Sequence, residues 1–63
     1  MITTKAQRQT LHHYFTRRGQ AHAHLTYRQW RKLAQPELCG DGAIMILWCG
    51  MWIGIERDGY AHS

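Results

Sequence analysis

Seven cationic side chains among residues 1–36 are the strongest chemical signal in this sequence, because no acidic residue accompanies them. Residues 37–63 hold one arginine and four acids, so the two parts carry formal charges of +7 and −3 within a net charge of +4. Such an asymmetry points to an anionic partner for the basic part. Solvated charge also keeps small proteins soluble, and this plainer explanation stays open.

The segment LTYRQWRKLAQP, residues 25–36, sorts these charges onto one side. At about 100° per residue, its apolar side consists of Tyr27, Trp30, Leu33 and Ala34, and its basic side of Arg28, Arg31, Lys32 and Gln35. Arginine and glutamine suit contacts with phosphates and base edges, and the earlier arginines add positive charge. We therefore predict a nucleic-acid-binding set made of Arg8, Arg17, Arg18, Arg28, Arg31, Lys32 and Gln35.

The five histidines and two cysteines raise the question of a zinc site. Their spacing does not favour one, since Cys39 and Cys49 are far apart and His22 with His24 lacks a matching cysteine pair. His12 and His13 are adjacent and would point about 100° apart on a helix. We expect neither a metal nor another cofactor.

Catalytic patterns are weak throughout the chain. The four acids are scattered, and Glu56 with Asp58 fits a solvated turn before Gly59 better than a carboxylate pair in a cleft. Cys49 lies in an apolar stretch, where a thiol is unreactive. The glycines do not follow a phosphate-loop pattern. We expect a protein that is not an enzyme and has no small-molecule substrate.

Two helices are predicted to carry the basic residues. The first runs from Thr4 to about Arg18, with a capping box of Thr4 and Gln7, an apolar stripe around Leu11, and Gly19 in the left-handed position after its end.

The second helix begins at Thr26, whose capping box partner is Gln29. Leu25 and Trp30 have the spacing of a hydrophobic staple, and Pro36 ends the helix. The connector from Gly19 to Leu25 is longer than the turn of a helix-turn-helix motif.

Residues 42–56 contain an apolar stretch that is too short to span a membrane as a helix. A β-hairpin with its turn at Cys49-Gly50 would pair Ile44 with Ile55 and Ile46 with Ile53, and cross-strand pairs of this kind stabilise a ladder. The alternative is a third helix, which its three glycines would destabilise by roughly 1 kcal/mol each. We favour the hairpin.

An apolar hairpin requires cover on both faces, and two short helices cover one. The other face would then be an exposed patch that marks an interface, most simply with a second copy of the chain. A homodimer would also strengthen a fold of only 63 residues. The predicted interface residues are Ile44, Ile46, Trp48, Met51, Trp52, Ile53 and Ile55.

The sequence thus predicts one α+β domain over residues 1–63, with two N-terminal helices and an apolar C-terminal β-hairpin; an all-α fold is the alternative. The predicted function is a small, dimeric, non-enzymatic regulator that binds nucleic acid. The alternative is a modulator of a larger host or partner protein, docked through the tryptophan-rich segment or the basic helix. The start of the chain has no secretory signal, so we expect a cytoplasmic protein, with the pairing of Cys39 and Cys49 left open.

Overall fold

Two helices precede a four-stranded antiparallel sheet in the computed structural model, which describes residues 3–63. The predicted α+β fold with two N-terminal helices and a C-terminal hairpin is therefore confirmed, and the all-α alternative is wrong. The elements are α1 (Lys5–Thr16), a 3₁₀ turn (Gln20–His22), α2 (Tyr27–Ala34), β1 (Glu37–Leu38), β2 (Ile44–Trp48), β3 (Met51–Ile55) and β4 (Ala61–His62).

The central hairpin has the predicted register. Ile44 pairs with Ile55, Ile46 with Ile53, and the closing pair joins Trp48 to Met51. Cys49 and Gly50 form the turn with φ angles of 51° and 78°. Two consecutive positive φ angles give a primed turn, whose twist matches that of the flanking strands. The turn thus adopts the conformation that Asn-Gly favours, although Cys-Gly is not a strong turn dipeptide.

Two short strands extend this hairpin into a sheet with the order β1-β2-β3-β4. Leu38 pairs with Ile44, and Ala61 pairs with Ile55. Paired residues share a face of the sheet, and successive residues alternate between faces. One face, which we call the inner face, therefore carries the four isoleucines of the hairpin and packs against the helices.

Helix α1 begins at the predicted capping box of Thr4 and Gln7. Its end differs from the prediction, since Arg17 is the C-cap and Gly19 has a φ of −67° at the start of the 3₁₀ turn. The backbone N–H groups of Arg17 and Arg18 bond to carbonyl groups of the last helical turn. Because these bonds already satisfy the helix end, no left-handed glycine is needed.

Helix α2 begins at the predicted capping box of Thr26 and Gln29 and ends before Pro36. The residue before the proline, Gln35, has a φ of 49°, so it leaves the right-handed helical region as expected. Leu33 departs from the prediction, because half of its side chain is exposed. It lies beside an open groove of about 260 Å³ between α2 and the hairpin turn.

The core lies between the two helices and the inner face. Its buried members are Leu11, Trp30, Ala34, Ile44, Ile46, Ile53 and Ile55, with Tyr14, Phe15, Leu25, Tyr27, Trp48 and Ala61 packed around them. Leu25 and Trp30 both belong to this cluster, as a hydrophobic staple requires. Within residues 3–63 no helix combines the length and the apolar character needed to cross a bilayer.

Candidate nucleic-acid interface

The basic side of α2 points away from the sheet. Trp30 and Ala34 are buried toward the core, and the helical period places Arg28 and Lys32 on the opposite side, where both are exposed. Gln35 is exposed at the end of the same helix, and Arg31 is partly buried on its flank. The structure thus brings together the four residues predicted on α2.

Arg28, Arg31 and Lys32 border a shallow, open depression of about 360 Å³. Tyr27, Arg28, Arg31, Lys32 and Pro36 line it, and most of its exposed lining is apolar. The tyrosine and proline rings and the aliphatic stems of the long side chains supply that apolar surface. The result is an apolar floor with a cationic rim, which we call the α2 depression.

Aromatic packing holds Tyr27 in this position. Its ring meets the ring of Phe15 edge to face at a centroid distance of 5.3 Å, and lies 5.6 Å from the imidazole of His12. Both neighbours belong to α1, so contact between the helices fixes the floor of the depression. The helical pattern of the sequence predicted Tyr27 on the apolar side of α2 only. Tyr27 and Arg31 are four residues apart and therefore neighbours on the helix surface, which indicates that Tyr27 also borders the basic side.

The cations of α2 have no carboxylate partner among the described residues. Across residues 3–63 the ion-pair contact within 4 Å is that of Glu56 with His62, at the far end of the sheet. The side chains of Arg28, Arg31 and Lys32 are therefore available to an external anion. Residues 25–36, which form α2 and its ends, carry three formal positive charges and no negative one.

Arg18, a predicted binding residue, is instead used within the fold. Its guanidinium donates to the carbonyl oxygens of Phe15, His22 and Ala23 at 2.8–2.9 Å. It also lies 4.0 Å from the centre of the Phe15 ring. These contacts tie the end of α1 to the connector and leave Arg18 few free donors for a phosphate.

Arg8 and Arg17 lie on different parts of the surface. Both are exposed. Arg8 donates to the carbonyl oxygen of Thr3 at 2.8 Å. The helical period places it on the same flank of α1 as Phe15 and His12, which face α2, whereas Arg17 follows the end of the helix on the opposite flank. Arg8 therefore extends the basic surface of α2, and Arg17 does not.

The seven predicted interface residues divide between the two faces of the sheet. Ile44, Ile46, Ile53 and Ile55 lie on the inner face with exposures of 5% or less, so the helices of the same chain already cover them. Trp48 also faces α1, where its indole N–H donates to the carbonyl oxygen of Tyr14. Trp52 and Met51 are exposed. Of the seven, only these last two are open to a partner.

Met45 and Leu47, which are absent from the predicted interface set, share the other face with Trp52. Met45 pairs with Gly54, and Leu47 pairs with Trp52. The alternation of side chains along β2 was the signal that separates them from the isoleucines.

The thiols and imidazoles do not gather into a cluster. Cys39 and Cys49 are both free and lie at opposite ends of β2. Cys49 is exposed in the hairpin turn rather than enclosed in apolar surroundings, which corrects the expectation from the sequence. No group of three or more potential metal ligands converges within residues 3–63. Asp58 accepts a hydrogen bond from the backbone N–H of Tyr60, as a turn residue does.

Comparisons with protein families, curated protein sequences and solved structures found no match to this chain.

Proposed function

We propose that this chain is a small, non-enzymatic regulatory protein that binds nucleic acid through α2. The observation that carries this proposal is the α2 depression, in which Arg28, Arg31 and Lys32 surround an aromatic floor and have no carboxylate partner among the described residues. A nucleic acid has groups that bind both features. Its phosphates attract the cations, and its bases can stack on the aromatic ring.

Position and charge support the proposal together. The exposed helix side projects away from the sheet, so the body of the chain does not obstruct an approaching strand. Gln35 at the helix end adds a side-chain amide that can donate and accept. Arg8 adds a cation from the neighbouring helix. Such a protein would regulate by occupying its target, since its open surface suits binding more than it suits enclosing a substrate.

The test is binding of fluorescent DNA and RNA oligonucleotides by the purified chain in 50 mM NaCl. We expect binding with the unmodified chain and at least a tenfold loss for Arg28→Gln combined with Arg31→Gln. The matched control combines Arg17→Gln with Arg57→Gln, which removes the same charge from exposed positions that do not extend the basic surface of α2 and should cost less than threefold. Absence of binding by the unmodified chain, or equal losses in the two variants, would overturn the proposal.

A second candidate function rests on Trp52, which is 44% exposed on the sheet. Tryptophan and arginine are enriched where proteins dock most tightly, so the chain also fits a modulator of a larger host or partner protein. Affinity capture separates the two functions. A stoichiometric protein partner that is lost with Trp52→Ala and kept with Arg28→Ala favours the modulator. A partner with the opposite dependence, or none, counts against it.

A further inference from the structure

Two aromatic rings lie side by side at the contact between the helices and are partly open to solvent. The phenol ring of Tyr27 and the imidazole of His12 have a centroid distance of 5.6 Å and an interplanar angle of 32°. His12 is exposed, and Tyr27 is partly buried. Tyr27 also lines the α2 depression, so the two rings extend its apolar floor toward α1. We call this pair the ring platform.

Aromatic contacts fix the position of both rings. Phe15 lies 5.6 Å from His12 and meets Tyr27 edge to face at 5.3 Å. Trp30, a buried member of the core, lies 6.1 Å from Tyr27. Aromatic pairs at such distances stabilise packing beyond the area that they bury. The ring platform therefore offers a ligand a surface whose shape is already formed.

Both helices that carry the rings also carry cations beside them. Arg28 and Arg31 border the α2 depression together with Tyr27. Arg8 is one helical turn before His12 on α1, and it is exposed. A nucleic-acid strand could thus place bases on the rings while its phosphates contact the cations, which is the usual arrangement in proteins that bind single strands.

We propose that the ring platform stacks unpaired bases, so that the α2 depression takes single-stranded nucleic acid in preference to a duplex. This inference rests on the proposed function and specifies the form of nucleic acid that is bound. In a duplex the faces of the bases are covered by their neighbours, and the groove edges are mainly polar. An apolar, aromatic floor complements the face of a base, which an unpaired base exposes.

The size of the depression and the path of the chain agree with a single strand. A volume of about 360 Å³ is at the lower end of the roughly 300–1,000 Å³ of ligand clefts, so it has room for a base but not for a double helix. Helices that read a duplex are commonly paired in a helix-turn-helix, with a turn of about 3–4 residues. Here the connector between α1 and α2 is longer and contains the 3₁₀ turn Gln20–His22.

An acidic peptide is the other polymer that these cations could attract. Peptides commonly bind by adding a strand to the edge of a sheet or by laying a helix into an apolar groove. The ring platform lies on two helices and has no strand edge. Its flat rings match planar bases, so we argue for nucleic acid and include an acidic peptide in the test.

The first experiment compares nucleic acids by fluorescence anisotropy. The probes are a DNA and an RNA strand without self-complementarity, of about 20 nucleotides to exceed the roughly 4–16 of known single-strand sites, their full duplexes, and an abasic DNA strand of equal length. Charge alone favours the duplex, because its charge density is higher. We expect the strands with bases to bind at least about tenfold more tightly than the duplexes and the abasic strand. The tighter of the two strands identifies DNA or RNA as the source of the bases.

The second experiment removes the rings. Tyr27→Leu and His12→Ala should each weaken single-strand binding about fivefold or more, and should change duplex binding less than about twofold. Tyr27→Phe keeps a ring and should keep the affinity. The matched controls Tyr60→Leu and His13→Ala remove the same ring types from exposed positions away from the platform. Circular dichroism checks folding, and the exposed position of His12 keeps the test decisive if Tyr27→Leu unfolds.

Three results would overturn the inference and leave the proposed function in place. They are duplex binding as tight as that of the strand, abasic binding as tight as that of the strand with bases, and control variants that lose as much affinity as the ring variants. A polyglutamate peptide of equal charge that displaces the strand with equal affinity would also overturn it, since the cations would then bind any polyanion. A chain that binds none of the nucleic acids overturns the proposed function as well.

Discussion

The side-chain amide of Gln7 donates a 2.9 Å hydrogen bond to the carbonyl oxygen of Gly42, 35 residues later in the chain. The same amide group donates to the carbonyl oxygen of Ile55 at 3.3 Å, and its oxygen accepts from the backbone N–H of Thr4. One buried side chain therefore caps α1 and attaches it to two segments of the sheet.

We expect Gln7→Met to lower the free energy of unfolding by about 2–4 kcal/mol, because it keeps the volume but removes the side-chain cap on the N–H of Thr4 and two further hydrogen bonds, one buried and one partly buried. The matched control is Gln29→Met, which removes the same capping group from α2 where it is exposed. Its cost should be about 0.5–1 kcal/mol. Urea denaturation measures both, and equal costs would show that the contacts of Gln7 with the sheet contribute little.

Substitutions of the adjacent residues Arg17 and Arg18 should differ in their effect on the free energy of unfolding. Arg18→Gln removes three hydrogen bonds to carbonyl oxygens and the contact with the Phe15 ring, and should cost about 1–2 kcal/mol. Arg17→Gln removes an exposed cation and should change stability by less than about 0.5 kcal/mol. Thermal unfolding followed by circular dichroism compares them. A larger effect of Arg17→Gln would contradict the structural role given to Arg18.

A substitution of Cys49 in the hairpin turn should be able to raise the stability of the fold. Its φ of 51° suits asparagine, and Asn-Gly is the preferred pair for such a turn. Cys49→Asn should stabilise the fold by about 0.5–1 kcal/mol, and Cys49→Val should destabilise it by about 1–2 kcal/mol, because a β-branched residue resists positive φ. The melting temperature in reducing buffer reports both changes. Stabilisation by valine would show that the turn has another conformation.

Salt should weaken nucleic-acid binding in proportion to the phosphates that α2 contacts. With three cations engaged, the logarithm of the association constant for duplex DNA should fall against that of the salt concentration with a slope of about −2 to −3. Arg28→Gln should reduce the slope by about 0.9, and Arg57→Gln, on the sheet side of the chain, should leave it unchanged. Titrations between ~50 and 300 mM NaCl measure the slope. A slope near zero would exclude phosphate contacts.

The features that sequence analysis predicted are those that depend on local patterns. The spacing of Thr26 and Gln29 defined the start of α2, and the symmetric placement of Ile44 and Ile55 defined the hairpin register. Both signals lie within a dozen residues of chain. The grouping of Arg28 and Lys32 on the exposed side of α2 follows from the helical period in the same way.

The remaining features depend on contacts between distant segments. The spacing of Thr4 and Gln7 indicated a capping box. The hydrogen bonds of Gln7 to Gly42 and Ile55 form only when α1 packs against the sheet. The strands β1 and β4 have two residues each, too few for a periodic pattern, and exist because they continue the ladder of the hairpin. The division of the apolar residues between the two faces of the sheet likewise requires the position of the helices. Arg18 resembles its neighbours in sequence and differs only in what surrounds it.

The attachment of α1 also determines the order in which the chain can fold as it is synthesised. The hydroxyls of Thr4 and Thr10 donate to the carbonyl oxygens of Arg57 and Gly59, 53 and 49 residues downstream. Helix α1 leaves the ribosome before the strands, yet these two hydrogen bonds cannot form until Gly59 has emerged. The strands β1 to β4 pair with their immediate neighbours and can form as they appear. During translation, therefore, α1 acquires its full set of contacts only with the last part of the described chain, and until then the nascent chain is more exposed to chaperones and proteases.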